Sequence, residues 1–541
     1  MIPQLRVLLI HASVFGLMTC HSYGQLSLPQ GLTGNFQSDV QYYSPDTIIN
    51  APVVPEKIMA TSFLNLNYVS GGFSAGMRYE SNLNPLLGID KRWSGNGIRY
   101  RYLSFARKNL SVTAGAFYEQ FGNGLIFRSY EERSLGIDNM MDGIRIRYVA
   151  GKALEVKGFA GKQRFFFAES AGIIRGLDAE LNVNEISSRW SGLKTRLTLG
   201  ASAISRFQED DNPRYKLPQN VGAFAGRFAL IRGNASITGE YAWKGMDPSE
   251  LNGYIYRNGH AMFLSASYSQ KGLGVNVSVK RIDNMNFRAD RSATGNLLMV
   301  NYLPALTRQH TYMHAAFYPY ATQPNGEAAI QAELIYTFSR QSRLKGLQVV
   351  LNASAANSID TVATGDDYGY RTTATGIGKQ IYFRDYNIEI RHKFSQKLKL
   401  NLAYLNQVYN KDVIQGLKGF GSFHIQTGIA EVTYQPAKTR SFRTELQHIS
   451  LKEDMGNWAL ALVEIGLVPN WLISVYDNYN YGNPKAGNRA HYYNAMLTYS
   501  QASLRVSLGY GRQREGILCV GGVCRNVPAS NGIQFSVSGT F

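Results

Sequence analysis

The chain has 541 residues, with 56 Lys and Arg against 38 Asp and Glu, which gives a formal net charge of +18. Apart from its N-terminus, no segment approaches the roughly 18 uninterrupted apolar residues of a transmembrane helix, which excludes a helical membrane protein. The basic residues are scattered and form no run of five or more, which argues against nucleic acid as the partner. The 34 Tyr and 53 Gly favour an all-β protein.

The first 24 residues are predicted to be a secretory signal peptide. Arg6 supplies a positive charge, the stretch from Val7 to Met18 is apolar but too short to span a bilayer, and small residues precede Gln25. We expect cleavage after Gly24, export of residues 25–541 as one domain, and loss of Cys20 with the signal peptide.

From about residue 35 onward, apolar and polar residues alternate with a period of two. In "IRIRY", for example, Ile144, Ile146 and Tyr148 fall on one side of a strand and Arg145 and Arg147 on the other. The same pattern recurs in "LGVNVSVK", "IQAELIYTF", "YNIEIRHKF" and "LRVSLGY", and its apolar side often ends in tyrosine, as in a membrane aromatic girdle. These features predict a large antiparallel transmembrane β-barrel of about 22–26 strands. A large β-sandwich or β-solenoid is the alternative.

Stretches that break the alternation are predicted to be long extracellular loops. At roughly ten residues per strand, about half of the chain is left for connections. A barrel of this size is too wide to be filled by wall side chains, so its lumen must be open, plugged by loops or occupied by a partner. The predicted long loops are Pro45–Met59, Arg164–Ile174, Ser205–Asn220, Thr307–Asn325, Asn357–Lys379, Asn410–Phe423 and Tyr476–Ala490.

The densest group of charged residues lies in the first third of the chain. Charged side chains that face lipid cost about 2–4 kcal/mol near the membrane midplane, so we expect this group to face the lumen or to lie in a loop folded into it. Two roles remain open, namely rows of opposite charge that select permeants and ion pairs that brace the wall. The candidate lumen charges are Glu119, Arg128, Glu131, Glu132, Arg133, Asp138, Asp142, Arg145 and Arg147.

Two histidines, His310 and His314, have the spacing of a helical zinc motif. The surrounding chain is predicted to be a strand or a loop, where four residues extend about 13 Å and cannot share a metal ion. No nucleophile motif such as G-x-S-x-G is present. The sequence therefore predicts neither an enzyme nor a metal or cofactor site.

The segment "CVGGVC" near the C-terminus is predicted to be a hairpin closed by a disulfide. Gly521 and Gly522 suit a two-residue turn, which places Cys519 directly opposite Cys524 at a Cα separation of about 4.5 Å. That distance lies within disulfide range, and export from the cytosol permits the bond. The ring is short, so the disulfide is expected to hold the loop tip rather than the fold.

The last ten residues, "GIQFSVSGTF", form the clearest alternating strand. With Phe535 on its apolar side and a terminal Phe541, this strand resembles the C-terminal signal that the assembly machinery reads in bacterial outer-membrane barrels. Together with "YEQFGNGLIFRSYEERSLGIDN" and "CVGGVC", it resembles an uncharacterised family of Bacteroidota outer-membrane barrels. The resemblance implies location and fold, with Phe535 and Phe541 as the assembly signal, and it implies no activity.

We therefore predict an outer-membrane β-barrel that passes or binds polar solutes through a charge-lined lumen. The alternative is a structural or assembly barrel that docks partner proteins of the envelope or secretion apparatus. The positive charge suits lipopolysaccharide phosphates. The expected partners are the outer membrane with its lipopolysaccharide, the barrel-assembly machinery and other envelope proteins.

Overall fold

A closed antiparallel barrel of 24 strands accounts for most of the chain. The computed structural model describes residues 29–210 and 212–541; the predicted signal peptide and Cys20 lie outside the described residues. Each strand pairs with its neighbours in the chain order of the barrel, and the last strand pairs with the first, so that no sheet edge is left open. The strand number falls within the predicted range.

All strands are numbered here in chain order. The barrel strands are β1 (Leu32–Tyr43), β2 (Ile58–Ser70), β3 (Phe73–Asn84), β4 (Gly95–Arg107), β5 (Leu110–Phe117), β8 (Met141–Ala150), β9 (Leu154–Phe165), β10 (Ala168–Asn182), β11 (Thr195–Phe207), β12 (Asn220–Arg232), β13 (Ala235–Lys244), β14 (Gly259–Gln270), β15 (Leu273–Asp283), β16 (Gly326–Thr337), β17 (Gln348–Ile359), β20 (Ile377–Lys393), β21 (Leu398–Asn410), β22 (Ser422–Ala437), β23 (Arg440–Leu451), β24 (Trp458–Leu467), β25 (Trp471–Tyr479), β26 (His491–Gln501), β27 (Leu504–Gln513) and β30 (Ser530–Thr540).

Small elements occupy some of the connections. The two-stranded hairpins are β6 (Glu131–Glu132) with β7 (Ile137–Asp138), β18 (Val362–Ala363) with β19 (Tyr370–Arg371), and β28 (Gly516–Val520) with β29 (Val523–Val527). The helical turns are Lys91–Trp93, Arg133–Leu135, Val183–Glu185, Ser188–Ser191, Glu250–Asn252, Lys411–Ile414 and Ala486–Asn488. In the part of the chain that the structure describes, no helix has the length and apolarity needed to cross a membrane.

The two faces of the wall follow the predicted alternation. On β8, Ile144, Ile146 and Tyr148 are exposed on the outer surface of the barrel. On β30, the Ser536 hydroxyl points inward and donates to Asp39 of β1 over 2.7 Å. The exposed outer row is the surface that meets lipid, because charged and hydroxyl side chains alternate to the inside.

The barrel has one rim of short turns and one rim of long connections. Residues 71–72 join β2 to β3 and residues 108–109 join β4 to β5, whereas residues 284–325 join β15 to β16 at the opposite rim. In outer-membrane barrels the short turns face the periplasm. The short-turn rim also carries Phe541, which exchanges two backbone hydrogen bonds of 2.9 Å with Gly34 across the closing seam.

Five of the seven predicted long loops coincide with connections of the barrel, and two differ from the prediction. Arg164–Ile174 is not a long loop, because β9 and β10 continue almost to one another and only residues 166–167 connect them. The other loop is longer than predicted: it was expected to begin at Thr307 and begins at residue 284. The added residues, 284–306, were not predicted to be part of this loop; they carry apolar side chains, which pack inside the barrel rather than against lipid.

Candidate functional site

Two connections from the long-loop rim fold into the lumen and close it. These segments, residues 118–140 and 284–325, are called the plug. The two segments are joined by backbone hydrogen bonds. Among them, the Arg128 N–H donates to the Val300 carbonyl and the Tyr302 N–H donates to the Gly124 carbonyl, each over 2.9 Å. The Arg128 guanidinium also lies over the Tyr302 ring, 4.1 Å from its centroid. The two segments therefore form one unit.

The plug crosses the lumen from one wall to the other. On one side, Gln163 of β9 donates to the Met299 carbonyl over 2.8 Å, and Arg206 of β11 donates to the Arg288 carbonyl over 3.1 Å. On the other side, the backbone N–H of His314 donates to Gln447 of β23 over 2.9 Å. β9 and β23 lie in opposite halves of the 24-stranded ring, so residues 284–325 span it.

Apolar packing fills the lumen at the level of the plug. Inward side chains of several strands turn apolar near the long-loop rim and enclose the aromatic and aliphatic side chains of the plug. The core members with at most 1% exposure include Phe121, Leu125, Ile126 and Phe127 of the first segment, Met285, Phe287 and Val300 of the second, and Ile174, Val221, Ile282, Tyr409, Ile425, Ile449 and Trp458 of the wall. A solute cannot pass this level unless the plug moves, since such a core is close-packed.

A buried network of charges fastens the first plug segment to the wall. Asp138 accepts from Arg78 of β3 and from Arg164 of β9, both at 2.7 Å. Glu80 accepts from the same two guanidinium groups at 2.8 and 2.6 Å, and Glu131 accepts from Arg78 at 2.9 Å. The Arg164 side chain is fully buried, so these pairs are shielded from solvent. Loss of one member would leave an uncompensated buried charge.

Most of the other candidate charges also face the lumen. On the wall, Arg145 contacts Glu119 at 3.4 Å, and Arg147 contacts Glu155 at 2.8 Å. In the plug, the Arg133 guanidinium lies 4.0 Å from the centroid of Phe63, and Glu132 accepts from the Ser134 hydroxyl over 2.6 Å. The contacts are those of bracing ion pairs and hydrogen bonds.

Asp142 is a correction to the prediction, because it faces outward. It lies opposite Ala116 on β5, while its neighbour in the chain, Met141, is buried in the lumen core. Asp142 pairs with Arg101 of β4 at 3.1 Å on the outer surface. The sequence argument used the cost of a lipid-facing charge near the membrane midplane, but a carboxylate costs less near the end of a strand, where it also has a basic neighbour.

The second half of residues 284–325 is anchored by polar side chains. His310 Nε2 lies 2.6 Å from Asp385 Oδ2 on β20, and His314 Nε2 lies 2.9 Å from Asn478 Oδ1 on β25. The two imidazoles thus bind different strands of the wall. Burial lowers the pKa of His314 to about 4, and the nearby Arg514 acts in the same direction. His314 is therefore neutral at physiological pH.

The disulfide hairpin, β28–β29, acts as a latch on the plug. The structure contains the predicted bond between Cys519 and Cys524, whose Cα atoms are 4.1 Å apart. At its tip, the Gly521 carbonyl accepts from the Tyr302 hydroxyl over 2.7 Å, and the Gly522 carbonyl accepts from the Thr322 N–H over 3.1 Å. The hairpin thus connects two distant points of residues 284–325.

The same hairpin also reaches the first plug segment. Arg525 Nε donates to the Ser134 carbonyl over 2.7 Å. Gly521 has φ +59°, and a Cβ added there would lie 2.1 Å from the Tyr302 hydroxyl oxygen. A residue with a Cβ at this position would displace the Tyr302 hydroxyl and would be strained at this positive φ.

Between the plug and the short-turn rim lies a cavity of about 640 Å³, which we call the chamber. Its roof is the plug around Arg308–Tyr312, and its walls are β16, β17 and β20–β22. Its charged lining comprises Arg308, Arg391, Lys393 and Lys399 with Glu389 and Glu431.

Positive charge dominates the chamber. Glu389 is shared between Arg308 and Arg391, the latter at 2.7 Å, and Glu431 accepts from the Tyr312 hydroxyl over 3.1 Å. In contrast, neither Lys393 nor Lys399 has a side-chain partner within the described residues. Two ammonium groups are therefore available to an anion.

Sequence reasoning missed the residues that hold the plug. Arg78 and Glu80 lie two apart on the inward face of β3, a spacing that places an ion pair on one side of a strand. A second signal lay in "SFHIQTGI", where Phe423 and Ile425 are apolar on the inward face near the loop end of β22. A lumen face that turns apolar at one end indicates that something packs there.

Comparison with solved structures returns bacterial outer-membrane barrels of different kinds. They include a mutant ferric enterobactin receptor, PfeA, from Pseudomonas aeruginosa in complex with enterobactin, at 12% identity over 95% of this chain and 82% of that chain with a TM-score of 0.43. The P pilus usher PapC translocation pore matches at 10% identity over 94% and 99%, with a TM-score of 0.45. The outer membrane protein opdK from Pseudomonas aeruginosa matches at 9% over 94% and 98%, with a TM-score of 0.37. At these identities, none of them assigns a cargo to this chain.

A family comparison covers nearly the whole sequence. The predicted Bacteroidota origin stays a prediction. The family described as "Family of unknown function (DUF6029)" matches residues 5–541, and the protein belongs to that family.

Proposed function

We propose that the protein is a gated outer-membrane pathway for polar, negatively charged solutes. Its plug is the gate and its chamber is the binding site on the short-turn side. The observation that carries the proposal is the chamber itself, an unfilled, charge-lined cavity of about 640 Å³ directly beneath a packed plug. Its four cations against two carboxylates favour an anion, and its size suits a small organic solute.

The attachment of the plug is compatible with movement. Residues 284–325 reach the second wall through polar contacts such as His310 with Asp385 and His314 with Asn478, and through aromatic packing of Phe317 against Trp458. Individual hydrogen bonds of this kind contribute about 0.5–1.5 kcal/mol each, so they can be exchanged for contacts with water or solute. The apolar core and the latch make the closed arrangement the resting one.

The test is single-channel recording in planar bilayers. Because Asp283 lies directly opposite Gly326, a short Gly-Ser turn can replace residues 286–323 without disturbing the pairing of β15 with β16. The wild-type barrel is expected to be closed for most of the time. The shortened variant is expected to carry a large steady current, with a reversal potential in a salt gradient that shows anion preference.

A matched control shortens a connection that does not enter the lumen. Residues 361–375 lie between β17 and β20 and contact Arg281 on the outer face through Thr372 over 2.7 Å. Their replacement by a similar turn should leave the barrel closed. If folded protein without residues 286–323 stays closed, the gated pathway is wrong and the alternative, a structural barrel that docks envelope proteins, is favoured.

A further inference from the structure

On the outer face of the barrel, charged side chains lie close together in the sector formed by β4, β5, β8, β9 and β10. Arg101 of β4, Asp142 of β8 and Lys162 of β9 lie on one line across neighbouring strands, since Ala116 of β5 opposes Asp142 and Asp142 opposes Lys162. Arg175 of β10 opposes Ala160, one diagonal step from Lys162. Residues two positions away on the same strands, including Leu103, Ile144 and Leu177, are exposed outward.

This outer cluster carries uncompensated positive charge. Asp142 is engaged by Arg101 at 3.1 Å. Within the described residues, neither Lys162 nor Arg175 has a side-chain hydrogen bond or ion pair. The cluster thus holds three cations and one carboxylate, and two of the cations are free on the outer surface, beside residues that meet lipid.

The cluster lies toward the long-loop rim. Lys162 is near the end of β9, far from Leu154 at the short-turn end, and Asp142 is the second residue of β8 after the plug. In an outer membrane this height falls within the external leaflet. A basic side chain that faces lipid there is stabilised by an anionic headgroup and is unfavourable beside acyl chains alone.

The outer surface beneath the cluster is shallow and apolar. Ala114 of β5 and Gly158 and Ala160 of β9 are outward residues on the short-turn side of the charges. Their small side chains leave a depression between larger residues such as Ile144 and Leu177, which are both 56% exposed. A phosphate above an acyl-chain groove is the arrangement that a phosphorylated glycolipid requires.

We infer that Arg101, Lys162 and Arg175 form a binding site for the phosphate groups of a phosphorylated glycolipid of the external leaflet, of the lipopolysaccharide type. The inference rests on the outer face alone and is independent of the gated pathway proposed for the lumen. The occupant is a lipid because the free cations face the bilayer and border an apolar depression.

The test measures binding of purified rough-type lipopolysaccharide to the detergent-solubilised full-length barrel. The variant combines Lys162→Gln and Arg175→Gln. Two basic residues near an anionic surface account for about a 30-fold change in affinity, so binding should weaken by about that factor. The matched control combines Lys108→Gln and Lys152→Gln, which removes two charges from the short turns of the same sector and should leave binding unchanged.

Two further binding measurements distinguish a phosphorylated glycolipid from free phosphate as the ligand. Dephosphorylated lipopolysaccharide should bind to the wild-type barrel as weakly as the intact glycolipid binds to the Lys162→Gln, Arg175→Gln variant. Inorganic phosphate at millimolar concentration should not displace the glycolipid.

Three binding results would overturn the inference. They are equal binding by the variant and the wild type, equal binding of the dephosphorylated glycolipid, and displacement by free phosphate, which would make the cluster a soluble-anion site. Dimers of the wild-type barrel that dissociate in the variant would also overturn it, because the cluster would then be a protein interface. Folding of each variant is checked by its migration before and after heating.

Discussion

The plug level and the chamber level are two parts of one lumen with opposite chemistry. Strands β21 and β22 line both: near the long-loop rim they point Tyr409 and Ile425 into the apolar core, and near the short-turn rim they point Lys399 and Thr433 into the chamber. The inward face of a strand therefore changes from apolar to charged along its length. An inward-facing side chain is therefore not always in contact with water. Whether it is depends on its position between the long-loop rim and the short-turn rim.

The largest expected effect comes from the charge network at the plug level. Arg164→Met should destabilise the barrel by about 3–5 kcal/mol, because Glu80 and Asp138 keep their buried charges and lose a partner. Arg147→Met, below the plug, should cost only about 0–1 kcal/mol, since its side chain is 50% exposed. Guanidinium unfolding in lipid vesicles measures both. Similar losses for the two variants would show that burial does not distinguish the levels.

The next effect concerns the latch. Gly521→Ala should loosen the plug by about 1–3 kcal/mol more than Gly416→Ala, because both glycines have positive φ but only Gly521 lies against the plug. Protease cleavage within residues 284–325 is the readout, and it should rise for Gly521→Ala alone. Equal cleavage in the two variants would show that the latch does not hold the plug.

Acid should weaken the plug through His314. Its pKa is lowered to about 4 by burial, so between pH 6.5 and 4 the released plug takes up a proton that the packed plug does not. Stability is unaffected above about pH 6.5 and falls as the pH decreases, by about 1.4 kcal/mol at pH 5.5.

The measurement is protease accessibility of residues 284–325 at pH 7.5 and pH 5.5. His314→Asn should remove the difference between the two pH values. His424→Asn, at a side chain that is 71% exposed, should leave it in place. A pH difference that persists in His314→Asn would assign the effect to another group.

The smallest effect is expected in the chamber. In the barrel lacking residues 286–323, Lys393→Gln together with Lys399→Gln should shift the reversal potential toward cations by a few millivolts to tens of millivolts, because the two free ammonium groups are lost. The matched variant Lys108→Gln with Lys152→Gln removes equal charge outside the chamber and should shift it less. The same shift in both would mean that overall charge, not the chamber, sets selectivity.

The period of two, together with the tyrosine-ended apolar faces and the length of the alternating region, was enough to predict the barrel. Alternation is a local property of each strand, so "IRIRY" and "GIQFSVSGTF" showed which side chains face lipid without knowledge of their neighbours. The hairpin at Cys519 and Cys524 was predictable for the same reason, because a two-residue turn determines its own cross-strand pairs.

The candidate site was only partly predictable. Glu131 and Asp138 were recognised as charges of the lumen, but their partners Arg78 and Arg164 lie far away in the chain. Asp142 was placed on the wrong face because its outward partner, Arg101, belongs to β4. Pairings between distant strands depend on how the sheet closes, which no local pattern contains.

The sequence by itself determined the class of fold, the lipid-facing rows and the disulfide, since each follows from residues close together in the chain. Only the tertiary structure decided that residues 118–140 and 284–325 close the lumen, that the hairpin holds them, and that a charged chamber remains below. The physical reason is packing. The sequence does not show what an apolar side chain in a loop, or on the inward face of a strand, will pack against. These side chains form a core only when closure of the barrel brings them into contact.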